Sequence, residues 1–335
     1  MESVNIKKLA QILGLSISTV SKALRDSYDI SKETKERVVA LATELNYQPN
    51  LHASSLRKNT SNTIAVIIPE IANNYFTLAI NGIESIAQQK GYHLTIYFTH
   101  EDVSKEVAFT RHLHSGRVDG VLISVSATTK DYSHLHELKR KGLPIVFFDR
   151  VCEDFDTVKV TTDDFESGYL AAKHLITKGC RKIAHLAISD GISIGTKRLK
   201  GYLKAMNEAN IEVRPELIVE CTNDKEQDLA LIKKLLTEQK PDGVFAAVER
   251  YATDCYETCY ELGLKIGKDI KIIGFSNLET VGLLNPSLST ITQPAFDIGK
   301  EAASVLFRAL EKKAFTLTNQ NIVFQSSLIE RESTK

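Results

Sequence analysis

The stretch LGLSISTVSKAL, residues 13–24, decides how the start of the chain folds. Counted from Ile6 as the first position, Ala10 stands fifth, Gly14 ninth and Val20 fifteenth, which is the spacing of a helix-turn-helix. A small side chain at Ala10 lets two helices approach closely, and Gly14 can adopt the left-handed backbone that a tight turn needs. Because Val20 then faces the space between the helices, the sequence predicts two short helices joined by a turn.

The second predicted helix has a polar outer face that suits the major groove of DNA. Ser16 can cap its N-terminus, and the first residues of such a helix meet base edges. Lys22 can donate to guanine O6 and N7 or to a phosphate, whereas Ile17 can make only apolar contacts, for instance with a thymine methyl. An ordinary helical hairpin with a solvated hydroxyl face is the alternative interpretation. The candidate DNA-contacting residues of this helix are Ser16, Ile17, Ser18, Thr19, Ser21 and Lys22.

A third helix and a linker follow the turn. Ser31 is a candidate N-cap, apolar residues from Val38 onward form one stripe, and Pro49 ends the helix. The next residues are small and polar, with only marginal helix potential. The sequence therefore predicts a helix-turn-helix DNA-binding domain over residues 1–48, a hinge or linker over 49–61 and a larger core over 62–335.

From residue 63 onward, apolar strands alternate with helices. TIAVIIP (63–69), VDGVLISV (118–125) and PIVFFD (144–149) are continuous apolar runs, typical of parallel strands covered on both faces. The pattern restarts at VKVTTDDFESGYLAAKHL (158–175), which predicts a second parallel sheet beside the first. Since ligands bind beyond the carboxyl ends of parallel strands, we expect a ligand cleft between two α/β lobes.

The amino-acid composition gives little information about whether the protein binds nucleic acid or membranes. The 335 residues carry 42 basic and 42 acidic side chains, so the net charge of zero indicates no particular partner. The first sixty residues hold nine Lys or Arg against six Asp or Glu, which is compatible with nucleic-acid binding. No apolar run is long enough to span a membrane and no secretory leader is present. We therefore expect no membrane partner and a cytoplasmic, nucleoid-associated protein.

Motifs that carry catalysis or hold cofactors do not occur in the sequence. There is no G-x-G-x-x-G after a strand, no P-loop and no G-x-S-x-G, so we expect no enzyme activity, no catalytic residue and no cofactor. The five cysteines lack zinc-binding spacing and are expected to be reduced thiols, with no metal site. His112 and His114, and likewise His134 and His136, lie two residues apart on predicted helices and are expected at the surface.

The motifs quoted so far, together with several others, resemble the LacI/GalR family of bacterial transcription regulators over essentially the whole chain. The resemblance is strongest in STVSKAL (18–24) and ISKETKERVVALATELNYQPN (30–50). HASSLR (52–57) is similar to the hinge of that family, and TIAVIIPEIANNYF (63–76) to its first core strand. Later similarities are RLKGYLKAM (198–206), IIGFSN (272–277), PSLSTITQP (286–294) and LIERES (328–333).

The resemblance implies a homodimer whose two heads bind the halves of a near-palindromic operator in double-stranded DNA. It also implies a hinge that folds into a helix on DNA, with Leu56 as the side chain that wedges into the minor groove. Asn50, Ala53 and Ser54 would line the same groove, and Ser54 stands where the family often has arginine. A lone exposed linker leucine is the alternative interpretation of Leu56.

The core resembles periplasmic sugar-binding proteins, with an effector in the cleft. The resemblance implies a first lobe of about 62–161 and 293–320 and a second lobe of about 162–292 and 321–335. The family commonly has Asn-Asp where this chain has Val248-Glu249, and an acid where it has Ser276, so the usual acids that clamp polyols are altered. Phe245 and Arg198 could instead be a core residue and a structural ion pair. The candidate effector-binding residues are Tyr75, Phe76, Asp149, Arg198, Phe245, Glu249, Ser276 and Gln293.

The function expected from these observations is transcriptional regulation. The protein would bind an operator as a dimer, most simply as a repressor, and a sugar or sugar derivative in the cleft would control it. A sugar-binding protein without DNA function is the alternative, and the helical head of about sixty residues argues against it. The absence of a leucine-heptad tail favours a dimer.

Overall fold

The computed structural model describes residues 5–47, 60–113, 117–188, 193–222, 224–312 and 315–335. The chain divides into two units, Met1–Thr60 and Ser61–Lys335, which we call the head and the core. The described part of the head is helical, and the core contains two six-stranded sheets. The predicted fold class, a helix-turn-helix head followed by a two-lobed α/β core, is confirmed.

The described part of the head contains three helices. They are α1 (Ile6–Leu13), α2 (Ile17–Ala23) and α3 (Lys32–Glu44). Gly14 ends α1 with φ 65°, the left-handed conformation predicted for the turn. The predicted caps are also present, since the Ser16 and Ser31 side chains accept hydrogen bonds from the backbone N–H groups of Thr19 and Thr34. The buried residues between the helices are Leu9, Ala10, Val20, Ala23, Val38 and Ala42.

The first lobe of the core is built on an all-parallel sheet. Its strand order is β11-β5-β4-β3-β1-β2. The strands are β1 (Thr63–Ile68), β2 (His93–Phe98), β3 (Gly120–Ile123), β4 (Ile145–Phe148), β5 (Val158–Thr162) and β11 (Gln320–Phe324). The helices of this lobe are α4 (Asn74–Gln89), α5 (Val103–Leu113), α6 (Ser133–Arg140) and α11 (Ala295–Glu311).

The second lobe repeats this design with one antiparallel edge strand. Its strand order is β12-β10-β9-β8-β6-β7, and only the β10–β12 pairing is antiparallel. The strands are β6 (Ile183–Ile188), β7 (Ile218–Cys221), β8 (Gly243–Ala246), β9 (Lys271–Phe275), β10 (Ser289–Thr292) and β12 (Ser327–Ile329). The α-helices are α7 (Asp164–Thr177), α8 (Ser193–Glu208), α9 (Lys225–Lys234) and α10 (Glu249–Leu262).

The chain passes between the lobes three times, after β5, after β10 and after β11. The last passage falls later than the expected boundary at residue 320. The reason is that Gln320–Phe324 pairs in parallel with β5 as the edge strand of the first sheet. Only the short β12 then belongs to the second lobe, so we correct this boundary to residues 325–326.

Two glycines hold α7 and α8 of the second lobe unusually close. A Cβ atom on Gly168 would lie 2.3 Å from the Arg198 carbonyl oxygen, and one on Gly201 would lie 2.1 Å from the Phe165 carbonyl oxygen. No side chain fits at either position without moving a backbone. This close crossing brings the start of α7 next to Arg198 on α8.

The structure bears on the expectations for the cysteines and for His134. All five cysteines are free thiols and are buried. The surface position expected for His134 is wrong, because its Nε2 lies 2.8 Å from Oε1 of the fully buried Glu106. That carboxylate needs a buried partner, which explains the inward position of the histidine. No helix among the residues placed by the structure is long and apolar enough to cross a membrane.

Candidate DNA interface and interlobe cleft

The N-terminus of α2 carries a small network of hydroxyl groups. Ser16 Oγ lies 2.9 Å from Thr19 Oγ1 and 3.3 Å from Ser18 Oγ, and it also accepts from the Thr19 backbone. These hydroxyls form hydrogen bonds with one another, and each can rotate toward a phosphate or base. Ile17 lies between Ser16 and Ser18, with 38% of its surface exposed. The structure thus brings the first four predicted contact residues together at one helix end.

Ser21 and Lys22 are engaged with residues that the sequence did not point to. Arg25 donates from Nη2 to Ser21 Oγ at 2.9 Å and from Nε to the Ser21 carbonyl. Lys22 forms an ion pair with Asp29 beyond the end of α2, and this hydrogen bond holds the pKa of Asp29 below its usual value. The i,i+4 spacing of Ser21 and Arg25 is a signal that could have identified Arg25.

The hinge predictions lie outside the described residues. Asn50, Ala53, Ser54 and Leu56 fall in the interval 48–59, for which the structure gives no placement. Their expected contacts in the minor groove therefore stay predictions.

In the core, polar side chains converge where the parallel strands of both lobes end. Ser124 follows β3 and Asp149 follows β4 in the first lobe, whereas Ala247 follows β8 and Ser276 follows β9 in the second. Carboxyl ends of parallel strands are the usual ligand edge of such sheets. This arrangement produces the cleft that the sequence predicted between the lobes.

A buried ion pair forms the centre of the cleft. Arg198 donates from Nε to Asp164 Oδ1 at 2.8 Å, and its Nη2 lies 2.7 Å from the same oxygen. Its Nη1 donates to the Ala247 carbonyl oxygen at 2.6 Å. Its guanidinium also stacks 3.6 Å above the ring of Phe275. Burial raises the pKa of Asp164, against the attraction of Arg198. The predicted Arg198 thus belongs to the cleft, and its partner Asp164 was missed.

Gln293 joins this pair through a chain of hydrogen bonds. Its Nε2 donates to Thr162 Oγ1 at 3.0 Å, and the Thr162 side chain bonds to Asp164 in turn. Thr162 ends the last strand before the chain enters the second lobe, so Gln293 ties one interlobe passage to another. Gln293 is thereby linked to Asp164 through Thr162.

Asp149 is buried beside this pair in a left-handed backbone conformation, with φ 60°. Ser124 Oγ donates to its Oδ2 at 3.2 Å, and the Arg150 Nε lies 3.9 Å from the same oxygen. Burial raises the pKa of Asp149 to about 6; Arg150 and Arg198 act in the opposite direction, and Asp164 adds to the rise. Arg150 itself donates from Nη1 to Glu101 at 2.6 Å.

Tyr75 reaches the same place from the start of α4. Its side chain is buried, and its hydroxyl has no hydrogen-bond partner among the residues that the structure describes. Burial raises its pKa well above the usual value, and Asp149 and Asp164 add to this effect. A buried hydroxyl without a partner is costly, which makes Tyr75 a candidate ligand contact.

Glu249 and Ser276 are brought together, but they bond to each other. Ser276 donates to Glu249 Oε2, which also accepts from the backbone N–H groups of Asn277 and Leu278 at 3.3 Å each. The carboxylate therefore fixes the loop after β9. From that loop the Asn277 carbonyl accepts a hydrogen bond from Asn74 of the first lobe at 2.5 Å. The pair holds an interlobe bridge, which is a positioning role.

Two predicted aromatic contacts lie in the cores of their lobes. Phe245 is fully buried in the second lobe, where it stacks on His185 with ring centroids 4.5 Å apart. Phe76 is buried in the first lobe against Phe148. Phe245 occupies a strand position whose side chain faces the covering helices, so we correct its assignment to the cleft. Phe76 supports its neighbour Tyr75 through an edge-to-face contact at 5.5 Å.

The rim of the cleft carries a second bridge and a groove. Lys197 of the second lobe pairs with Glu153 of the first at 2.7 Å, with both side chains partly exposed. A groove of about 280 Å³ opens here, and its lining includes this ion pair, Asp164 and Val323. Groups of three or more side chains able to hold a metal are absent from the described parts of the chain.

A helix-turn-helix head on the same chain as a two-lobed core with a buried polar cleft is the organisation of a ligand-responsive DNA-binding regulator. Comparison with known proteins agrees with this class. The family described as "Bacterial regulatory proteins, lacI family" matches residues 5–50, and the "Periplasmic binding protein-like domain" matches residues 172–334. The HTH-type transcriptional repressor PurR of Vibrio atlanticus is 31% identical over 335 residues, covering 98% of each chain.

Solved structures agree as well. A LacI family transcriptional regulator of Enterococcus faecium with bound ribose is 27% identical, with a TM-score of 0.70 over 80% of this chain and 97% of that one. The lac repressor dimer bound to operator and the anti-inducer ONPF shares the fold, with 24% identity and a TM-score of 0.87 over 99% of both chains. This chain belongs to the lacI family of bacterial regulatory proteins. It is a DNA-binding transcriptional regulator, and its relatives are regulators and not enzymes.

Proposed function

We propose that this regulator is a repressor that binds a near-palindromic operator as a homodimer and is controlled by a small hydroxylated effector in the interlobe cleft. In this assignment residues 1–48 bind DNA, 49–61 form the hinge, and the core from 62 onward binds effector and partner. The observation that carries the proposal is the buried hydroxyl of Tyr75, which has no partner within the described core and whose pKa is raised by burial and by the charges of Asp149 and Asp164.

Relatives support the finer parts of this assignment. PurR of Vibrio atlanticus is named a repressor, and the Enterococcus faecium regulator was solved with ribose. The lac repressor, which shares the fold, is a dimer on its operator. A sugar-binding protein without DNA function is not favoured, because the head matches the lacI family over residues 5–50.

The contacts within the cleft suggest how effector and DNA are coupled. Among the described residues, bridges between the lobes or their passages run from Asn74 to Asn277, from Gln293 to Thr162 and from Lys197 to Glu153. A ligand with different affinities for the bridged and the open arrangement shifts the population between them. In a dimer this shift would change the spacing of the two hinges and thus the affinity for operator.

Footprinting of genomic fragments upstream of neighbouring genes tests the proposal. We expect a protected, near-palindromic site whose affinity falls steeply with salt, because phosphate contacts supply much of the binding energy. Lys22→Ala and Leu56→Ala should weaken protection and leave the thermal stability of the core unchanged. The absence of a protected site with or without candidate effectors would contradict the proposal.

A further inference from the structure

Charges buried in the interlobe cleft do not balance. Arg198 is paired with Asp164 at 2.7–2.8 Å, and Arg150 is paired with Glu101 at 2.6 Å. Each guanidinium therefore has its own carboxylate. Asp149 is the third carboxylate of this group, and its closest approach to a cationic atom is the 3.9 Å contact with Arg150 Nε. The cluster thus carries one negative charge in excess, located on Asp149.

Neighbouring ionisable groups do not remove this excess. Glu70 also acts on Arg150, which adds negative charge on that side. At the rim, Lys197 is neutralised by Glu153. Tyr75 is neutral, because burial and the two acids raise its pKa. On the first-lobe side the only side chain that donates to Asp149 is Ser124, among the residues described there.

Two polar atoms that interact electrostatically with Asp149 also lack hydrogen-bond partners. The Tyr75 hydroxyl and the Arg150 Nε are both buried and have no hydrogen bond to any described residue. Each is a donor whose water has been removed, and leaving such groups unpaired is costly. An incoming molecule with oxygen acceptors would satisfy them. The cleft is therefore complementary to a ligand that places hydroxyl or ether oxygens at Tyr75 and a positive charge at Asp149.

We propose that the effector is a cationic, hydroxylated molecule of the amino-sugar class, whose ammonium pairs with Asp149 while a neighbouring oxygen accepts from Tyr75. This inference rests on the proposed function, because it names the chemistry of the ligand for the same cleft. A neutral polyol would leave the excess charge buried without a counter-ion, and an anionic ligand would add a repulsive charge to it. The pKa of Asp149, raised to about 6 by burial, agrees with an unbalanced carboxylate.

Matched ligand pairs test the charge directly. Isothermal titration calorimetry of the full-length protein at about pH 7 compares glucosamine with glucose, galactosamine with galactose and mannosamine with mannose. Within a pair only one hydroxyl is exchanged for an ammonium. We expect at least one amine to bind about tenfold more tightly than its neutral partner. The same preference should shrink at about pH 5, where Asp149 is largely protonated.

Variants distinguish the effect of the Asp149 charge on ligand binding from the effect of its side-chain shape. Asp149→Asn keeps the size of the side chain and should abolish the preference for the amine. Asp154→Asn removes an exposed carboxylate five residues away and should retain the preference. If Asp149→Asn does not fold, the pH comparison on the unaltered protein gives the same information. Neutral sugars that bind as tightly as their amines, or a panel in which no amine binds, would overturn the inference. Operator footprinting of the same preparation is independent of these results, so a failure here is distinguishable from a failure of the proposed function.

Discussion

Arg198 donates a hydrogen bond from Nε to Asp164 Oδ1 at 2.8 Å and its Nη2 lies 2.7 Å from the same oxygen, with both side chains about 98% buried. A pair of this kind contributes little net stability, because the desolvation of both ions offsets their attraction. It does fix geometry, since α7 and α8 can meet only at Gly168 and Gly201 and the pair locks that crossing. Removing one partner therefore lowers the free energy of unfolding by much more than the intact pair contributes to it.

We expect Arg198→Ala to lower the free energy of unfolding by about 3–5 kcal/mol, because it leaves Asp164 buried without a counter-ion. Urea denaturation followed by circular dichroism measures this loss. Arg214→Ala is the matched control, since its ion pair with Glu212 is more than half exposed, and it should change stability by less than about 1 kcal/mol. Equal effects of the two variants would contradict the structural role of Arg198.

Whereas Arg198→Ala should destabilise the protein, Asp149→Asn should stabilise it when no ligand is added. Its folded-state pKa of about 6 lies above the usual 3.8, so the folded protein binds more protons than the unfolded chain between these values. Wild-type stability therefore falls as the pH rises through this window. We expect the variant to be more stable by about 1–3 kcal/mol near neutral pH, with the difference disappearing toward pH 4.

Thermal unfolding of wild type and Asp149→Asn across that pH range checks the prediction. Asp154→Asn serves as the control, because it removes an exposed carboxylate in place of a buried one. A variant that is less stable than wild type at every pH would mean that Asp149 has a compensating partner.

Asn74→Ala tests the bridge between the lobes. The variant loses the hydrogen bond to the Asn277 carbonyl, which is worth about 1 kcal/mol, and the open arrangement gains roughly fivefold in population. The radius of gyration of the ligand-free protein from small-angle X-ray scattering should increase. Gln88→Ala, at an exposed position on the same helix, should leave the scattering curve unchanged. An unchanged curve for Asn74→Ala would show that the other two bridges suffice.

Local patterns predicted the fold well because they act over short distances. Gly14 and the caps Ser16 and Ser31 lie within a few residues of the backbone groups they govern, and the structure confirms each of them. The all-parallel first sheet followed from continuous apolar strands. The antiparallel β12 did not, because three residues at a sheet edge leave no distinctive pattern.

Residues of the cleft were less predictable, since their partners are distant in sequence. Asp164 lies 34 residues from Arg198, and nothing local indicates that they pair. Phe245 was expected in the cleft, yet an aromatic residue in a buried strand can face either side of the sheet. Glu249 and Ser276 were expected to contact ligand, and their direct bond depends on the relative position of β8 and β9.

The ion pair between Lys22 and Asp29 competes with DNA for the only basic side chain on the predicted face of α2. Asp29→Asn should free Lys22 and remove a negative charge from the interface, so we expect operator affinity to rise about threefold at low salt. Asp26→Asn removes the same charge but releases Lys35, which makes it a matched control. Gel-shift titrations at several salt concentrations measure both variants. If the two variants gain operator affinity equally, the gain comes from the removal of negative charge in general. The Lys22–Asp29 pair would then have no specific role in limiting DNA binding.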